Sequence, residues 1–431
     1  MRSRILALLC SVWFICGVAF AARAAFLWHE QSVIPHQALS VLPFAQEAGN
    51  IAFALSEGKG FSNVFRQETG PTAWLTPVYP LLLAGIFRVF GAFTFPAFLA
   101  AALMNCLFSA ATSLPIYFAA KKVAGPVAAV LAAWLWAPFP NAVMIPTEWI
   151  WDTSLSALLA ATLLWATLAI ANSQHRRHWC AYGLLWGFSL MNDPAIAAVL
   201  PFLLVWLVYR SRANSVRAWR FPALALSVAV LCCLPWTIRN YVQFQCFVPL
   251  RSNFPFELWL GNNDIFDPHA VHGIQRITRF EQARLYSQIG ETAFMQQKWH
   301  LACAFIRSHP LLELRLIGRR IVATWLGTEK PIEDFLSASS LLARVVIICN
   351  FLILLGTVSG TVLLFLRRNP FAIPVAAYPL VFPMIYYITH TSLRYRHPAD
   401  PVLLILTAFA MLELLRANQP AKPRTPNIKS I

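Results

Sequence analysis

The chain has 431 residues, of which 58% are hydrophobic and only 12% are charged, and its mean hydropathy is +0.59. A soluble domain carries about a quarter charged residues, so this composition excludes a soluble globular protein, a disordered chain and a small disulfide scaffold. It predicts an all-α polytopic membrane protein. The 34 Lys and Arg against 18 Asp and Glu give a formal net charge of +16, which in a membrane protein first reports sidedness.

Apolar stretches that are long enough to cross a bilayer, about 20 residues, recur along the whole chain. The sequence predicts about ten transmembrane helices, and the two between residues 179 and 209 are short because Met-Asn-Asp-Pro at 191–194 interrupts them. The predicted spans lie near residues 5–27, 94–120, 125–144, 153–171, 179–192, 194–209, 219–238, 341–366, 370–389 and 399–416.

Basic clusters predict the orientation, because Lys and Arg are enriched in cytoplasmic loops. Placing all of them in the cytoplasm satisfies ten crossings, with both termini inside and two long segments outside. The short Pro-rich tail and the lack of a eukaryotic sorting signal fit a bacterial inner membrane. Nearly all of the net charge is then cytoplasmic. The clusters are Arg2/Arg4, Lys121/Lys122, Arg176/Arg177, residues 210–220, Arg367/Arg368 and residues 416–429.

This topology divides the chain into four parts. Residues 1–238 form an N-terminal transmembrane module with a first outside loop at 29–93, and residues 239–340 form a large periplasmic segment. Residues 341–416 form the C-terminal transmembrane helices, and residues 417–431 form a Pro-rich cytoplasmic tail. As an alternative, the basic start and the Ala-Arg-Ala near residue 23 suit a signal peptide, although the apolar stretch is longer than in a typical one.

The first outside loop carries most of the chemistry. Residues 44–57 have helical periodicity and end at Gly58, a favourable C-terminal stop. Glu47 shares one helix face with the apolar residues Ile51 and Leu55. A carboxylate on such a face at a membrane surface is partly desolvated, which makes it a better proton acceptor. The other interpretation is a solvated Glu favoured at a helix start by the helix dipole.

A stiff, extended segment follows this helix. It contains Gly-Pro-Thr-Ala-Trp at 70–74 and Pro-Val-Tyr-Pro at 77–80. The apolar stretch after it, which ends at Gly91, is too short to span a bilayer, so we expect it to lie in the interface.

These residues, in this order, resemble the C-fold membrane glycosyltransferases, specifically the bacterial dolichyl-phosphate-mannose-transferase-like branch that is related to protein O-mannosyltransferases and lipid A aminoarabinose transferases. Many members of the wider superfamily begin the loop with an Asp-Glu pair, whereas here Gln46 precedes Glu47, which argues against a metal-binding role for the loop. Further matches are Glu-Trp-Ile-Trp-Asp-Thr-Ser at 148–154, Arg-Ser-Asn-Phe-Pro-Phe-Glu-Leu-Trp-Leu-Gly-Asn-Asn at 251–263, and Arg-Tyr-Arg-His-Pro at 394–398.

The resemblance implies transfer of a sugar, with inversion, from a polyprenyl-phosphate carrier to a lipid, glycan or protein acceptor on the outer face of the membrane. Glu47 then takes the proton of the acceptor hydroxyl. Arg394, Arg396 and His397 are the first candidates to bind the donor phosphate, and Arg319, on a helix-like stretch at 311–326, is the next. Head-group anchoring or a snorkelling interfacial helix would explain the same basic residues.

Candidate residues for the acceptor or the sugar lie in two other places. Glu257, Trp259 and Asn262 combine a carboxylate, an indole and an amide, although local packing explains them equally. Asp152 and Glu148, two acids four residues apart, suit a divalent ion or sugar hydroxyls, or equally a polar cap at a helix start. Asp193 before Pro194 is interpreted as a turn residue.

The sequence predicts no metal site, because it contains no CxxC, HExxH or similar ligand spacing, and the only cofactor left open is a divalent cation. Nucleic acid is excluded as a partner, because the net charge is explained by topology. Cys246 and Cys303 both fall in the large outside segment, where an oxidising compartment would permit a disulfide.

A multi-pass lipid or solute transporter or flippase is the main alternative function. Transport paths are usually marked by ionisable residues inside spans and by internal repeats. Here the sequence has no evident repeat, and Arg23 and Glu413 are expected near span ends. A non-catalytic scaffold subunit is the remaining alternative.

Overall fold

The computed structural model describes residues 7–33, 44, 46–65, 67–212, 219–263 and 279–417, and within these ranges the regular structure is helical. The first half contains α1 Val12–Val33, α2 Gln46–Ser56, α3 Val78–Phe90, α4 Phe95–Ala111, α5 Ser113–Ala124, α6 Pro126–Trp136, α7 Pro140–Glu148, α8 Thr153–Ile170, α9 Arg176–Asn192, α10 Leu200–Arg212 and α11 Arg220–Phe244. The second half contains α12 Phe254–Gly261, α13 Arg279–Ser308, α14 Pro310–Leu326, α15 Pro331–Ser337, α16 Leu341–Leu366, α17 Ala372–Val381, α18 Met384–Ile388, α19 Leu393–Arg396 and α20 Asp400–Ala417.

Six described helical segments are long and apolar enough to cross a membrane, and α6 with α7 would make a seventh although they are bent by 44°. The all-α, multi-pass architecture is therefore confirmed, whereas the predicted count of about ten spans is not. Shorter apolar helices occupy several of the predicted spans, because proline or a polar break divides them. The six segments are Val12–Ser32, Phe95–Ala124, Thr153–Ile170, Arg220–Phe244, Leu341–Leu366 and Leu393–Ala417.

Close helix crossings build the apolar core. α9 packs along α11, and α16 packs along α20. A Cβ atom at Gly183 would lie 2.4 Å from the Ala225 carbonyl oxygen, and one at Gly360 would lie 2.3 Å from the Leu406 carbonyl oxygen. Small residues at such crossings let helix backbones approach closely, which increases van der Waals contact in a membrane.

The first span extends to Val33, beyond its predicted end near residue 27, and Arg23 therefore lies in the middle of α1 rather than near a span end. Arg23 is fully buried, and its guanidinium donates to Ser109 Oγ at 2.8 Å, to the Ala19 carbonyl at 2.7 Å and to the Ala137 carbonyl at 3.1 Å. The buried charge is thus surrounded by hydrogen-bond acceptors from α1 itself, from α4 and from the end of α6, as a structural residue would be.

The loop helices lie close to where the sequence predicts them. α2 stops before Gly58, whose φ of +76° is in the left-handed region that favours glycine. α3 ends at Gly91 and packs against α2. In the large segment that follows α12, Gly290, with φ +76°, breaks α13 into two parts.

Candidate active site

Several separate parts of the chain bring ionisable side chains together at the ends of the membrane helices. We call this group the acid–arginine cluster. Electrostatic interactions and ion pairs connect its carboxylates to two arginines. Its members are Glu47, Asp152, Asp193, Arg251, Glu257, His390, Arg394 and Tyr395.

An isolated parallel bridge between Phe44 and Ile150 positions the start of α2. Both side chains are buried, and the Phe44 ring packs edge-on against Phe87 at 5.3 Å and Phe98 at 6.2 Å between ring centres. Burial of aromatic rings contributes strongly to the stability of a packed core, so these ring contacts fix the position of the chain just before α2. Glu47, in the first turn of α2, therefore lies beside the 149–152 segment.

The Arg394 guanidinium lies between aromatic rings. Its central carbon is 4.3 Å from the Trp151 ring centre and 4.7 Å from the Tyr395 ring centre, and Nη2 donates to the Tyr395 hydroxyl at 2.9 Å. Glu47 and Asp152 are both close enough to interact with its charge. Cation–π contacts fix the plane of a guanidinium while leaving its remaining N–H donors available.

Asp152 lies just before α8, but its side chain makes no capping hydrogen bond to that helix. Burial raises the pKa of its carboxyl to about 7, and the Asp193 carboxylate adds to the rise, whereas Arg251 and Arg394 oppose it. The N-cap interpretation of Asp152 is therefore not supported by the geometry, and the carboxyl is a member of the cluster.

Asp193 and Arg251 form the second charged contact of the cluster. The Arg251 Nη1 lies 3.8 Å from Asp193 Oδ1, which also accepts from the Ala195 backbone N–H at 3.0 Å. Asp193 thus has the predicted turn role and an electrostatic role together. The loop before α3 holds this turn, because Thr76 Oγ1 donates to the Asn192 carbonyl at 2.8 Å.

Glu257, in the first turn of α12, faces the same cluster. Its Oε1 accepts from Asn253 Nδ2 at 2.9 Å, and its Oε2 lies 3.4 Å from His390 Nδ1. Burial raises the pKa of the Glu257 carboxyl, while Arg251 and Arg394 act against the rise. The His390 Nε2 in turn lies 2.9 Å from the Tyr395 hydroxyl, so Glu257 is connected to Arg394 through two side chains.

Of the predicted phosphate-binding residues in the turn before α20, Arg394 lies in the cluster, whereas Arg396 and His397 bind Asp400 instead. Arg396 is 1% exposed, and its guanidinium donates to Asp400 Oδ1 at 2.8 Å, to Asn350 Oδ1 at 2.7 Å and to the Trp325 carbonyl at 2.5 Å. His397 is fully buried, with Nδ1 2.9 Å from Asp400 Oδ2.

Three further predicted site residues are engaged inside the protein. Arg319 pairs with Glu329 on the loop after α14. Trp259 is 1% exposed, and the Lys298 ammonium lies 3.6 Å from its ring centre. Asn262 is fully buried, with its amide donating to the Leu258 and Ile388 carbonyls at 2.9 Å. Most of these contacts are made within the 239–340 segment, and the bond from Asn262 to Ile388 joins it to α18.

The sequence does not single out Arg251, Asp193 or Tyr395 as site residues. Arg251 stands at the start of a recognisable motif, and Asp193 follows the end of an apolar helix. Charged residues at the ends of apolar segments were a usable signal, since burying them is costly unless they have partners.

Within the described ranges, no three His, Cys, Asp or Glu residues are arranged to hold a metal ion. Cys246 and Cys303 are both free thiols, and Cys246 Sγ lies 3.7 Å from Thr292 Oγ1. The disulfide that the sequence leaves open is therefore not formed.

Comparisons with known proteins relate the chain to membrane glycosyltransferases. Residues 74–238 match the family model of the dolichyl-phosphate-mannose-protein mannosyltransferases. No curated protein matches the chain in sequence.

Solved structures with a similar fold include the apo oligosaccharyltransferase of Archaeoglobus fulgidus, with a TM-score of 0.54 at 13% identity over 94% of this chain and 51% of that one. The same organism's oligosaccharyltransferase AglB, in complex with an inhibitory peptide and a dolichol-phosphate, has a TM-score of 0.51 at 14% identity over 87% of this chain and 48% of that one. The chain thus spans about half the length of these relatives.

ArnT from Cupriavidus metallidurans bound to undecaprenyl phosphate is also similar, at 12% identity over 95% of this chain and 78% of that one, with a TM-score of 0.41. At 13% and 14% identity, the two oligosaccharyltransferase structures with TM-scores above 0.5 show a similar fold and no more. The match of residues 74–238 to the mannosyltransferase family model confirms the resemblance for that part of the chain.

Proposed function

We propose that the chain is an integral membrane glycosyltransferase that moves a sugar, with inversion, from a polyprenyl-phosphate carrier to an acceptor on the outer face of the membrane. The observation that carries the proposal is that Glu47 and Arg394 lie near enough in one cluster for their charges to interact. A proton acceptor and a cation for a departing phosphate are the two groups that such a transfer needs.

Glu47 is the proposed general base. Its carboxylate takes the proton of the acceptor hydroxyl as that oxygen attacks the anomeric carbon of the donor sugar. The bond between the anomeric carbon and the phosphate oxygen breaks at the same time, and the polyprenyl phosphate leaves with the bonding electrons. Attack from the face opposite the leaving group inverts the anomeric centre.

Arg394 and Arg251 are the proposed phosphate-binding residues. Negative charge develops on the phosphate as the bond to the sugar breaks, and a preorganised guanidinium stabilises it without reorganising. Arg394 is preorganised by its position 4.3 Å from the Trp151 ring centre. Arg251 is held beside Asp193, with 3.8 Å between the two charged groups. Arg396 and His397 support this region through Asp400 rather than through contact with the donor.

Asp152 and Glu257 are the proposed ligands of the sugar or acceptor hydroxyls. Both are partly enclosed acids in the cluster, and both have raised pKa values because they are buried. A carboxyl that is easily protonated can donate as well as accept a hydrogen bond, which suits a hydroxyl-rich ligand. No step in this mechanism uses a divalent cation.

The proposal places the cluster on the periplasmic side of a bacterial inner membrane, with both termini in the cytoplasm. This follows from the positions of the basic clusters in the sequence. The same proposal keeps the four parts of the chain that the sequence predicts, with boundaries after residues 238, 340 and 416.

The test distinguishes transfer from transport. Purified protein in proteoliposomes receives radiolabelled polyprenyl-phosphate sugar with an extract of envelope acceptors. We expect release of free polyprenyl phosphate and label in the acceptor fraction. Movement of labelled lipid across the bilayer without its cleavage would instead support the flippase alternative and refute the proposal.

A further inference from the structure

Glu291 lies outside the acid–arginine cluster, yet its carboxylate joins three separate segments. Thr72 Oγ1 donates to Oε2 at 2.6 Å, and the Ala73 backbone N–H donates to Oε1 at 2.9 Å. Ser252 Oγ donates to Oε1 and Tyr286 OH donates to Oε2, both at 2.5 Å. Glu291 is 6% exposed, so these donors replace water around the buried charge.

The segment that carries Arg251 is anchored on both sides. Trp236 Nε1 donates to the Leu250 carbonyl at 2.7 Å on one side. On the other side, the Ser252 backbone N–H donates to the Ala73 carbonyl at 2.8 Å, and the Ser252 hydroxyl bonds to Glu291. Consecutive Cα atoms are only about 3.8 Å apart, so a shift at Ser252 moves Arg251.

An adjacent cavity gives this segment room to move. It has a volume of about 230 Å³, and Arg251, Ser252 and Glu291 are among the residues that line it. Its other walls are largely apolar and include Phe244 and Met295. Loss of the Glu291 bonds would therefore let the segment relax into the cavity without forcing the surrounding helices apart.

We propose that Glu291 is a positioning residue that holds Arg251 at the donor phosphate by fixing Ser252 and the Thr72–Ala73 segment. The inference rests on the proposed function, because Arg251 has a phosphate to bind only if the chain is a transferase. Glu291 itself touches neither substrate nor reacting atoms. Its effect passes through the backbone next to Arg251.

The test is a double-mutant cycle in the sugar-transfer assay, with Glu291→Gln, Arg251→Gln and the combined variant. Displacing a catalytic group by about 1 Å can cost about a hundredfold in rate, so we expect Glu291→Gln to lower kcat by about ten- to a hundredfold. The combined variant should be no slower than Arg251→Gln alone, because Glu291 acts through Arg251. Glu281→Gln, the same change at an exposed position of α13, should retain wild-type kcat.

Ser252→Ala provides a second variant, since it removes one hydrogen bond and leaves the Glu291 charge with its other donors. We expect the same fall in kcat, smaller in size. Effects of Glu291→Gln and Arg251→Gln that multiply independently would overturn the proposal, as would wild-type kcat in Glu291→Gln.

Hydrogen exchange separates this proposal from the transferase proposal itself. In the Glu291→Gln variant the backbone amides of Ala73 and Ser252 should exchange at least tenfold faster than in wild type, whatever reaction the protein catalyses. Unchanged exchange at both amides would overturn the positioning role. Absence of transfer by the wild type, with faster exchange in the variant, would instead count against the transferase proposal and the phosphate role of Arg251, and only the effect of Glu291 on the backbone beside Arg251 would stand.

Discussion

The Arg394 guanidinium carbon lies 4.3 Å from the Trp151 ring centre, so an arginine that opens the last transmembrane segment is stacked on the turn before α8. The contact places the cation in a fixed plane beside Glu47 and Asp152. A lysine at position 394 would lose most of this fixed orientation, because an ammonium has no plane to stack on an aromatic ring and cannot present two parallel donors.

We therefore predict that Arg394→Lys lowers the rate of sugar transfer by about ten- to a hundredfold, which is less than the about hundred- to thousandfold loss on removal of a preorganised group, because lysine keeps the positive charge. The measurement is initial transfer rate at saturating donor. Arg344→Lys is the control, because Arg344 lies 5.9 Å from the Phe335 ring centre at an exposed position and should tolerate the change. Equal rates for wild type and Arg394→Lys would remove Arg394 from the phosphate site.

The raised pKa of Asp152 predicts a pH-dependent stability. An unfolded aspartate has a pKa of about 3.9, whereas the folded value is about 7. The folded state therefore retains a proton that the unfolded state loses, and the resulting stability is present at low pH and lost as pH rises through about 7. Asp193, Arg251 and Arg394 face the same carboxyl and shape the shift.

Thermal unfolding of wild type and Asp152→Asn in the same detergent tests this dependence. We expect the difference in Tm, variant minus wild type, to be larger at pH 8 than at pH 5, because only the wild type must bury the ionised carboxyl at high pH. For the control Asp334→Asn, at an exposed position, the difference in Tm from wild type should be the same at pH 5 and at pH 8. A difference in Tm between Asp152→Asn and wild type that is equal at both pH values would contradict the prediction.

Gly261 permits the end of α12 to lie against the turn that carries His390. A Cβ atom there would be 1.9 Å from the Thr389 carbonyl oxygen. We predict that Gly261→Ala separates Glu257 from His390, lowers Tm and costs about 1–3 kcal/mol or more, as overpacking does. Gly318→Ala on α14 is the matched control, since nothing lies within 4 Å of a Cβ at that position. Similar Tm values for both variants would refute this role.

We expect substitution of Arg396 to reduce the stability of the fold, whereas substitution of Arg394 reduces the rate of transfer. Arg396→Gln leaves the buried Asp400 carboxylate without its guanidinium partner, and breaking a buried pair costs about 3–5 kcal/mol. The expected result is a low yield of folded protein and a reduced Tm, measured by gel filtration and thermal unfolding. Arg394→Gln should keep the wild-type yield. An Arg396→Gln protein with normal Tm but weak donor binding would return Arg396 to the phosphate site.

The contrast between these arginines also marks what the sequence can and cannot predict. Helix periodicity and a terminal glycine predict α2, because both signals are local. The turn at 390–397 is equally visible as a basic motif, but a difference of two positions sends Arg394 to the cluster and Arg396 to Asp400. The i, i+4 spacing of Arg396 and Asp400 was the available signal for a pair.

Contacts between distant segments were not predictable in this way. Arg251 meets Asp193 only because the loop before α3 anchors both the turn after α9 and the segment before α12. The predicted count of about ten spans is not confirmed, for a related reason. Apolar composition identifies a buried segment, whereas length and breaks decide whether it crosses the membrane as one helix.

The most direct test of the account is the rate of sugar transfer from radiolabelled polyprenyl-phosphate sugar by Glu47→Gln compared with Glu57→Gln. Both changes remove one carboxylate near α2, but Glu57 is exposed just beyond the end of the helix. A general base contributes about a hundred- to ten-thousandfold to the rate. Glu47→Gln should therefore transfer sugar at least about a hundredfold more slowly than wild type at unchanged Tm, and Glu57→Gln should match the wild-type rate. Full transfer by a folded Glu47→Gln protein would contradict the proposed mechanism.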